Sequence, residues 1–396
     1  MAGERQGGTP ILTLGLVIAG AVLGLAGTDL VLPAVPSLPE ALGGNATQSQ
    51  YVLATYVAGV GLGLLVFGAL GGHFDQRWLL VFGVAGFGGV SLLATQAASM
   101  PALIALRFAQ GVFAATAPVF APGIIRALFD ERGAIRAIGA LGSIESLTPA
   151  LAPIAGKALL EAGDWRLSFT VLAALSAIAA VGLLLIRHRI PQVEHKRDGP
   201  GYGALLVKLP YLRHVGAHAM TLGALLTFVF GAPAVIVNSM GGTLNDFIIM
   251  QVCGISTFIV AASGAEFFVS RFGGERIVLF GSALSTLGII AISVYALAGG
   301  SEPLWLVPLF IPMNFGLGLR GPPGFYAAIV NADGDDARGS ALLILAVMLA
   351  TALGTAVAAP MIDAGLVPLA LVSLAMSVLS PVLLMTLPTG KVLLQD

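Results

Sequence analysis

Residues 11–36 read ILTLGLVIAGAVLGLAGTDLVLPAVP, an apolar run interrupted by one ionisable residue, Asp29. A helix crossing about 30 Å of hydrocarbon needs roughly 20 mostly apolar residues, and this run is long enough. It is too long for a signal-peptide core and lacks a convincing small-residue cleavage site, so it reads as a retained helix. Further runs follow at 50–70, 78–96, 101–125, 135–160, 165–186, 211–237, 247–268, 277–298, 304–329, 340–360 and 367–387. The total is twelve. The whole chain of 396 residues is 57% hydrophobic and 10% charged, against about 25% charged in a soluble domain. That excludes an ordinary cytosolic enzyme and a disordered chain. A net charge of -1 leaves no basic face for nucleic acid. The single cysteine, Cys253, excludes a disulfide framework or a cysteine-rich metal site. The expected fold is an all-α integral membrane protein of twelve transmembrane helices, solvated by a lipid bilayer.

Orientation follows from Lys and Arg, which favour cytoplasmic loops. Of 19 such residues, fifteen fall on the N-terminal side and its alternate loops, from Arg5 through Arg77, Lys196, Arg197 and Arg271 to Lys391. Only Lys157 and Arg166 fall opposite, and Arg107 and Arg320 lie inside spans. Both termini are therefore expected in the cytoplasm. The most hydrophilic stretch lies mid-chain and divides it into residues 1–186, a cytoplasmic linker at 187–210, and residues 211–396. Weak internal repetition agrees with that division. Phe74 and Phe82-Gly83 match Phe272 and Phe280-Gly281, and Leu32-Pro33-Ala34-Val35 resembles Ala232-Pro233-Ala234-Val235. Arg136-Ala137-Ile138-Gly139 roughly echoes Arg338-Gly339-Ser340-Ala341. Two pseudo-symmetric six-helix bundles describe a transporter that rocks around a central site.

Several motifs resemble the major facilitator superfamily, and within it the twelve-span drug:proton antiporters of the bicyclomycin/chloramphenicol-resistance type. They are Thr28-Asp29-Leu30-Val31-Leu32-Pro33-Ala34-Val35-Pro36 in the first helix and Leu106-Arg107-Phe108-Ala109-Gln110-Gly111 in the fourth. The fifth helix adds Pro149-Ala150-Leu151-Ala152-Pro153-Ile154-Ala155-Gly156, followed by Trp165-Arg166. The resemblance implies export across the inner membrane, a monomer, and a gate built around the loop after the second helix. That loop departs from the family pattern Gly-x-Leu-x-Asp-Arg-x-Gly-Arg-Arg. Here Gly68, Leu70 and Arg77 survive, but Gly72-His73 stands where the family has Asp-Arg. Asp75 is a candidate substitute, and Arg271 belongs to the equivalent loop of the second half.

An ionisable residue inside a span costs about 2.5–3.5 kcal/mol on insertion scales, so it needs a partner, water or a role. Asp29, Arg107, Glu145 and Arg320 are such residues. The repeat places Val229, Leu309 and Val347 opposite the first three, so the architecture itself does not demand charge there. Asp29 and Glu145 are therefore expected to carry protons, with Arg107 tuning them; a permanent ion pair with Arg107 is the structural alternative. Arg320, late in its helix, is expected to snorkel to the cytoplasm. His214 and His218 have metal-compatible spacing but no third ligand nearby, so they read as interfacial and no metal is implied. Asn45-Ala46-Thr47 reads as a chance glycosylation sequon. Pro149, Pro153 and Gly156 suit a bending seam. Tyr56, Phe108, Phe228 and Phe230 are aromatic candidates for a substrate pocket.

The expected function is exchange of protons for a small amphipathic compound by alternating access. Lipophilic cations are the expected cargo if the acids pair weakly with Arg107, neutral or zwitterionic compounds if they pair strongly. The alternatives are a dedicated metabolite or siderophore transporter, working as symporter or uniporter, and a non-transporting receptor or scaffold. No nucleotide-binding motif appears, so neither ATP nor any other cofactor is implied.

Overall fold

The computed structural model describes residues 9–44, 46–192 and 201–390. Arg5, Asn45, Lys196, Arg197 and Lys391 lie outside them. The helices are α1 (Thr9–Asp29), α2 (Leu38–Leu42), α3 (Ala46–Leu70), α4 (Gln76–Ala94), α5 (Met100–Ala114), α6 (Thr116–Leu128), α7 (Glu131–Ala162) and α8 (Trp165–Ile186). The second half adds α9 (Gly201–Leu205), α10 (Leu209–Ala234), α11 (Leu244–Phe272), α12 (Gly274–Leu297), α13 (Leu306–Val330), α14 (Asp336–Ala358) and α15 (Leu366–Thr386). Among the described residues eleven helical stretches are long and apolar enough to cross a membrane, or twelve when the bent α7 is one span.

Local chemistry sets the ends. Asp75 caps α4 by accepting from the Arg77 amide at 2.9 Å, and Asp164 caps α8 by accepting from that of Arg166 at 2.9 Å. Thr243 and Asp246 form a reciprocal capping box on α11. Between α11 and α12 only Gly273 intervenes, at φ 83°, a turn that suits a residue without Cβ.

Prolines break three expected spans. The α-helical part of the first span stops at Asp29 and continues as a 3-10 segment over Leu32–Ser37. Asp29 is therefore the last residue of α1 rather than a residue inside an unbroken helix over 11–36. Pro33 has no N–H to return to the Asp29 carbonyl. The fourth span divides at Ala115 into α5 and α6, where Pro118 leaves the Ala114 carbonyl without its helical donor. Helix α7 bends by 44° between Pro149 and Leu151, as the paired prolines dictate.

The chain forms two compact units. The first comprises Met1–Asp130, Ile144–Gly201 and Gly334–Ala341; the second comprises Glu131–Ser143, Tyr202–Asp333 and Leu342–Asp396. Each takes in a short piece of the opposite half of the sequence, and those pieces include the echoing segments at Arg136 and Arg338. In the first unit α3 packs on α5, and α8 packs on both α1 and α4. In the second, α11 packs on α13, and α15 packs on both α10 and α12. The same pairing in the same order is the structural form of the sequence repeat.

Glycine brings the α3–α5 pair together. A Cβ on Gly111 would collide with the Tyr56 carbonyl, and one on Gly59 with the Phe108 carbonyl. Small residues allow such close approach where no water is available to drive association.

Candidate functional site

The interior of the first unit is organised by Arg107 of α5, whose side chain is fully buried. Its Nη1 donates to the Gly27 carbonyl at 2.8 Å and to Gln110 Oε1 at 2.6 Å, while Nε donates to the Val52 carbonyl at 3.1 Å. Gln110 passes the chain on to Ser91 Oγ at 2.7 Å. The Tyr56 ring lies 4.2 Å from the guanidinium carbon, a cation–π contact. The Tyr56 hydroxyl donates to the Gly24 carbonyl. Arg107 thus ties α1, α3 and α5 together through neutral acceptors. It forms no ion pair with Asp29 or Glu145, and among the described residues neither acid has a hydrogen-bond or ion-pair partner.

The first unit holds an apolar groove of about 650 Å³ between α1, α7 and α8, and neither acid is among the residues that line it. Ala26 and Leu30 line it from α1, Thr148 and Ala152 from α7, and Leu172 and Leu175 from α8. Asp29 is three residues from Ala26, and Glu145 three from Thr148. On a helix that spacing puts each carboxylate on the stripe of a groove-lining residue, one turn away. Leu30 also lines the groove, and a Cβ on Gly156 would collide with the Leu30 carbonyl. Ser168 Oγ donates to that same carbonyl at 3.3 Å. Gly156 is thus a contact point between α7 and the end of α1, adjacent to Asp29.

The two acids share a further trait. Asp29 and Glu145 each lie four residues before a proline, Pro33 and Pro149, so each has a main-chain carbonyl without its helical donor. Residue 229, opposite Asp29 in the repeat, also precedes a proline by four, but it is valine. There α10 passes into a π-helical turn over Val235–Ser239.

The four aromatic candidates lie apart from the groove. Tyr56 is buried under Arg107, and Phe228 is buried in the second unit with its ring 5.6 Å from that of Phe310. Phe108 and Phe230 are exposed. In the gate loop, Asp75 grips Arg77 through both carboxylate oxygens, the closest approach being 2.6 Å, and Gly68 is buried nearby in α3. The Arg338 guanidinium lies over Gly72; a Cβ there would come within 3.2 Å of both terminal nitrogens. Arg338 pairs with Asp335 at 2.7 Å, and Arg126 pairs with Asp336 at 2.6 Å. Arg271 is exposed at the end of α11. Pro149 and Pro153 flank the bend of α7.

Two expectations are overturned outright. Arg320 does not snorkel; it is fully buried in the second unit. His214 and His218, expected to be interfacial, are buried as well, and Glu266 is buried and pairs with Arg136 at 2.6 Å.

This is the fold of a multi-pass helical transporter of the membrane. A family model described as the Major Facilitator Superfamily matches residues 17–358, and the chain belongs to that superfamily. It is 25% identical over 306 residues to a bicyclomycin resistance protein homolog of Haemophilus influenzae, covering 75% of this chain and 72% of that one. It is 23% identical over 274 residues to the multidrug resistance protein MdtL of Salmonella typhimurium, covering 68% and 69%. Among solved structures, the transporter FucP in the outward conformation matches with a TM-score of 0.74 at 14% identity, over 95% of this chain and 99% of that one. The proton:xylose symporter XylE matches with 0.73 at 14% identity, over 97% and 98%. At that identity the two structures establish the fold alone.

Proposed function

We propose that this protein is a proton-coupled secondary exporter of small amphipathic compounds, with both termini in the cytoplasm of a cell whose inner membrane it spans as a monomer. The observation that carries the reading is the pair of carboxylates, Asp29 and Glu145, each without a partner among the described residues and each one turn from the apolar groove. A carboxylate without a counter-ion can take either a proton or a bound cation as its partner, and each excludes the other. Proton and cargo then compete, and their differential affinity for the two bundle arrangements drives the cycle. Because Arg107 bonds two main-chain carbonyls and Gln110 and pairs with neither acid, it does not neutralise them, which favours lipophilic cations as cargo. The names of the resistance-protein relatives support export. Residues 1–186 and 211–396 are the two moving halves in this reading. Gly68, Asp75, Arg77 and Arg271 serve the cytoplasmic gate, and Pro149, Pro153 and Gly156 the bending seam.

The test is proton release from the purified protein in detergent on addition of lipophilic cations and neutral antibiotics. Wild type should release protons with cations, and Asp29→Asn or Glu145→Gln should abolish the release. Binding without proton release in the wild type would overturn antiport and bring symport or uniport forward.

A further inference from the structure

The second unit contains a buried charged cluster that the transport reading does not use. It lies where the first turns of α10 meet the start of α12 and the later part of α13. Arg213 and His214 come from α10, with His218 one turn further on, Glu275 from α12 and Arg320 from α13. Arg320 and His214 have no exposed surface, and Arg213 and His218 are nearly as enclosed.

Glu275 is the carboxylate of this cluster: its Oε2 is engaged by Arg213, while its Oε1 has no hydrogen-bond partner among the described residues. Arg213 Nη1 lies 2.7 Å from its Oε2, and His214 Nε2 lies 3.4 Å from its Oε1. Arg213 also donates from Nε and Nη2 to the Leu384 carbonyl, at 3.1 and 2.9 Å. Nothing comparable meets Arg320. Among the described residues its Nε, Nη1 and Nη2 have no hydrogen-bond partner, and it belongs to no ion pair. The Nδ1 atoms of His214 and His218 lack partners too, and both rings lie within electrostatic range of Arg320.

A guanidinium is permanently charged and carries five N–H donors. Buried charge is tolerated when it is paired and hydrogen-bonded. Two arginines and one committed carboxylate leave this cluster one negative charge short. Residue 324 is glycine, and a Cβ there would come within 3.1 Å of Arg320 Nη2, so the missing side chain relieves crowding on that side of the guanidinium. Phe325 covers the other flank of His218, edge to face at 5.7 Å.

We propose that Arg320, with the His218 ring beside it, is a binding site for a small inorganic monovalent anion of halide size. The anion is the counter-ion the chain does not supply. The enclosure of Arg320 and His214 selects a compact ion over a lipid phosphate group, whose acyl chains would require an opening to the bilayer. The site lies wholly in the second unit and is independent of the Asp29 and Glu145 reading.

The test is thermal melting of the full-length protein in detergent as sodium gluconate is replaced by sodium chloride at constant ionic strength. The melting temperature should rise and saturate with chloride, bromide should substitute, and the response should vanish in Arg320→Met. A wild type indifferent to chloride would overturn the proposal and leave water as the partner of Arg320. An equal response in Arg320→Met would also overturn it, as a salt effect elsewhere. Should Arg320→Met fail to fold, chloride NMR line broadening on the wild type and Arg320→Lys decides. Broadening that bromide displaces and that weakens in Arg320→Lys supports the site; its absence in the wild type overturns it. A stabilisation obtained only in nanodiscs containing phosphatidylglycerol would assign Arg320 to a lipid headgroup and likewise overturn the proposal.

Discussion

Arg107 shows what a buried charge does when its partners are neutral oxygens, two of them main-chain carbonyls. Its bonds to Gly27 and Val52 fasten α1 and α3 to α5, and each buried bond lost costs about 1–3 kcal/mol when its acceptor is left unmet. Arg107→Gln should therefore lower the melting temperature in detergent by several degrees, while Arg107→Lys, which keeps the charge, should lose less. Equal melting of Arg107→Gln and wild type would show that these bonds contribute nothing. The motif containing Arg107 and Gln110 was legible in the sequence. The partners were not, because any residue offers a carbonyl and only the fold says which ones converge. Tyr56 illustrates the same limit: its depth was readable, but its role as the ring beneath a guanidinium depends on contact with another helix.

At the scale of the element, prolines decide more than apolar periodicity does. The twelve runs were readable because length and hydropathy suffice to find a span. Their internal breaks depend on single missing N–H groups after Ala114, Asp29 and Glu145. Reading proline as a donor lost four residues earlier would have placed Asp29 at the end of α1 from sequence alone. Gly156 is the corresponding contact between elements. A larger side chain there must push α7 away from Leu30, and overpacking of this kind costs about 1–3 kcal/mol. Gly156→Leu should abolish drug-stimulated proton release while Gly163→Leu, at the exposed end of the same stretch, should spare it. Retained release in Gly156→Leu would show that the α1–α7 contact can open without penalty to function.

For the whole molecule, the repeat was visible as a few residues at a common offset and returns as the same helix pairing in each unit. What the offset could not reveal is that short pieces at Glu131–Ser143 and Gly334–Ala341 join the unit of the other half. Those memberships rest on contacts such as Arg136–Glu266 and Arg126–Asp336, between residues too far apart in sequence for any local pattern. The orientation proposed from Lys and Arg is open to direct measurement, since Cys253 is the sole native cysteine. In a Cys253→Ser background, Ala98→Cys and Ser301→Cys should react with an impermeant maleimide from outside the cell, and His73→Cys should not. The reverse pattern would invert the topology.

The abrupt end of α1 at Asp29 ties this acid to the thickness of the lipid around it. Twenty-one helical residues rise about 31 Å at 1.5 Å each, close to the roughly 30 Å of an average hydrocarbon core. Asp29 therefore stands where the α-helical part of the span gives out, with the 3-10 continuation Leu32–Ser37 beyond it, and a change of a few ångströms in thickness alters how much of that continuation acyl chains cover. Long-chain lipids should cover more of this continuation and short-chain lipids less, and drug-stimulated proton release should differ between them. Reconstitution in bilayers of graded chain length, with proton release followed against pH, would reveal whether membrane thickness sets the working range of this protein.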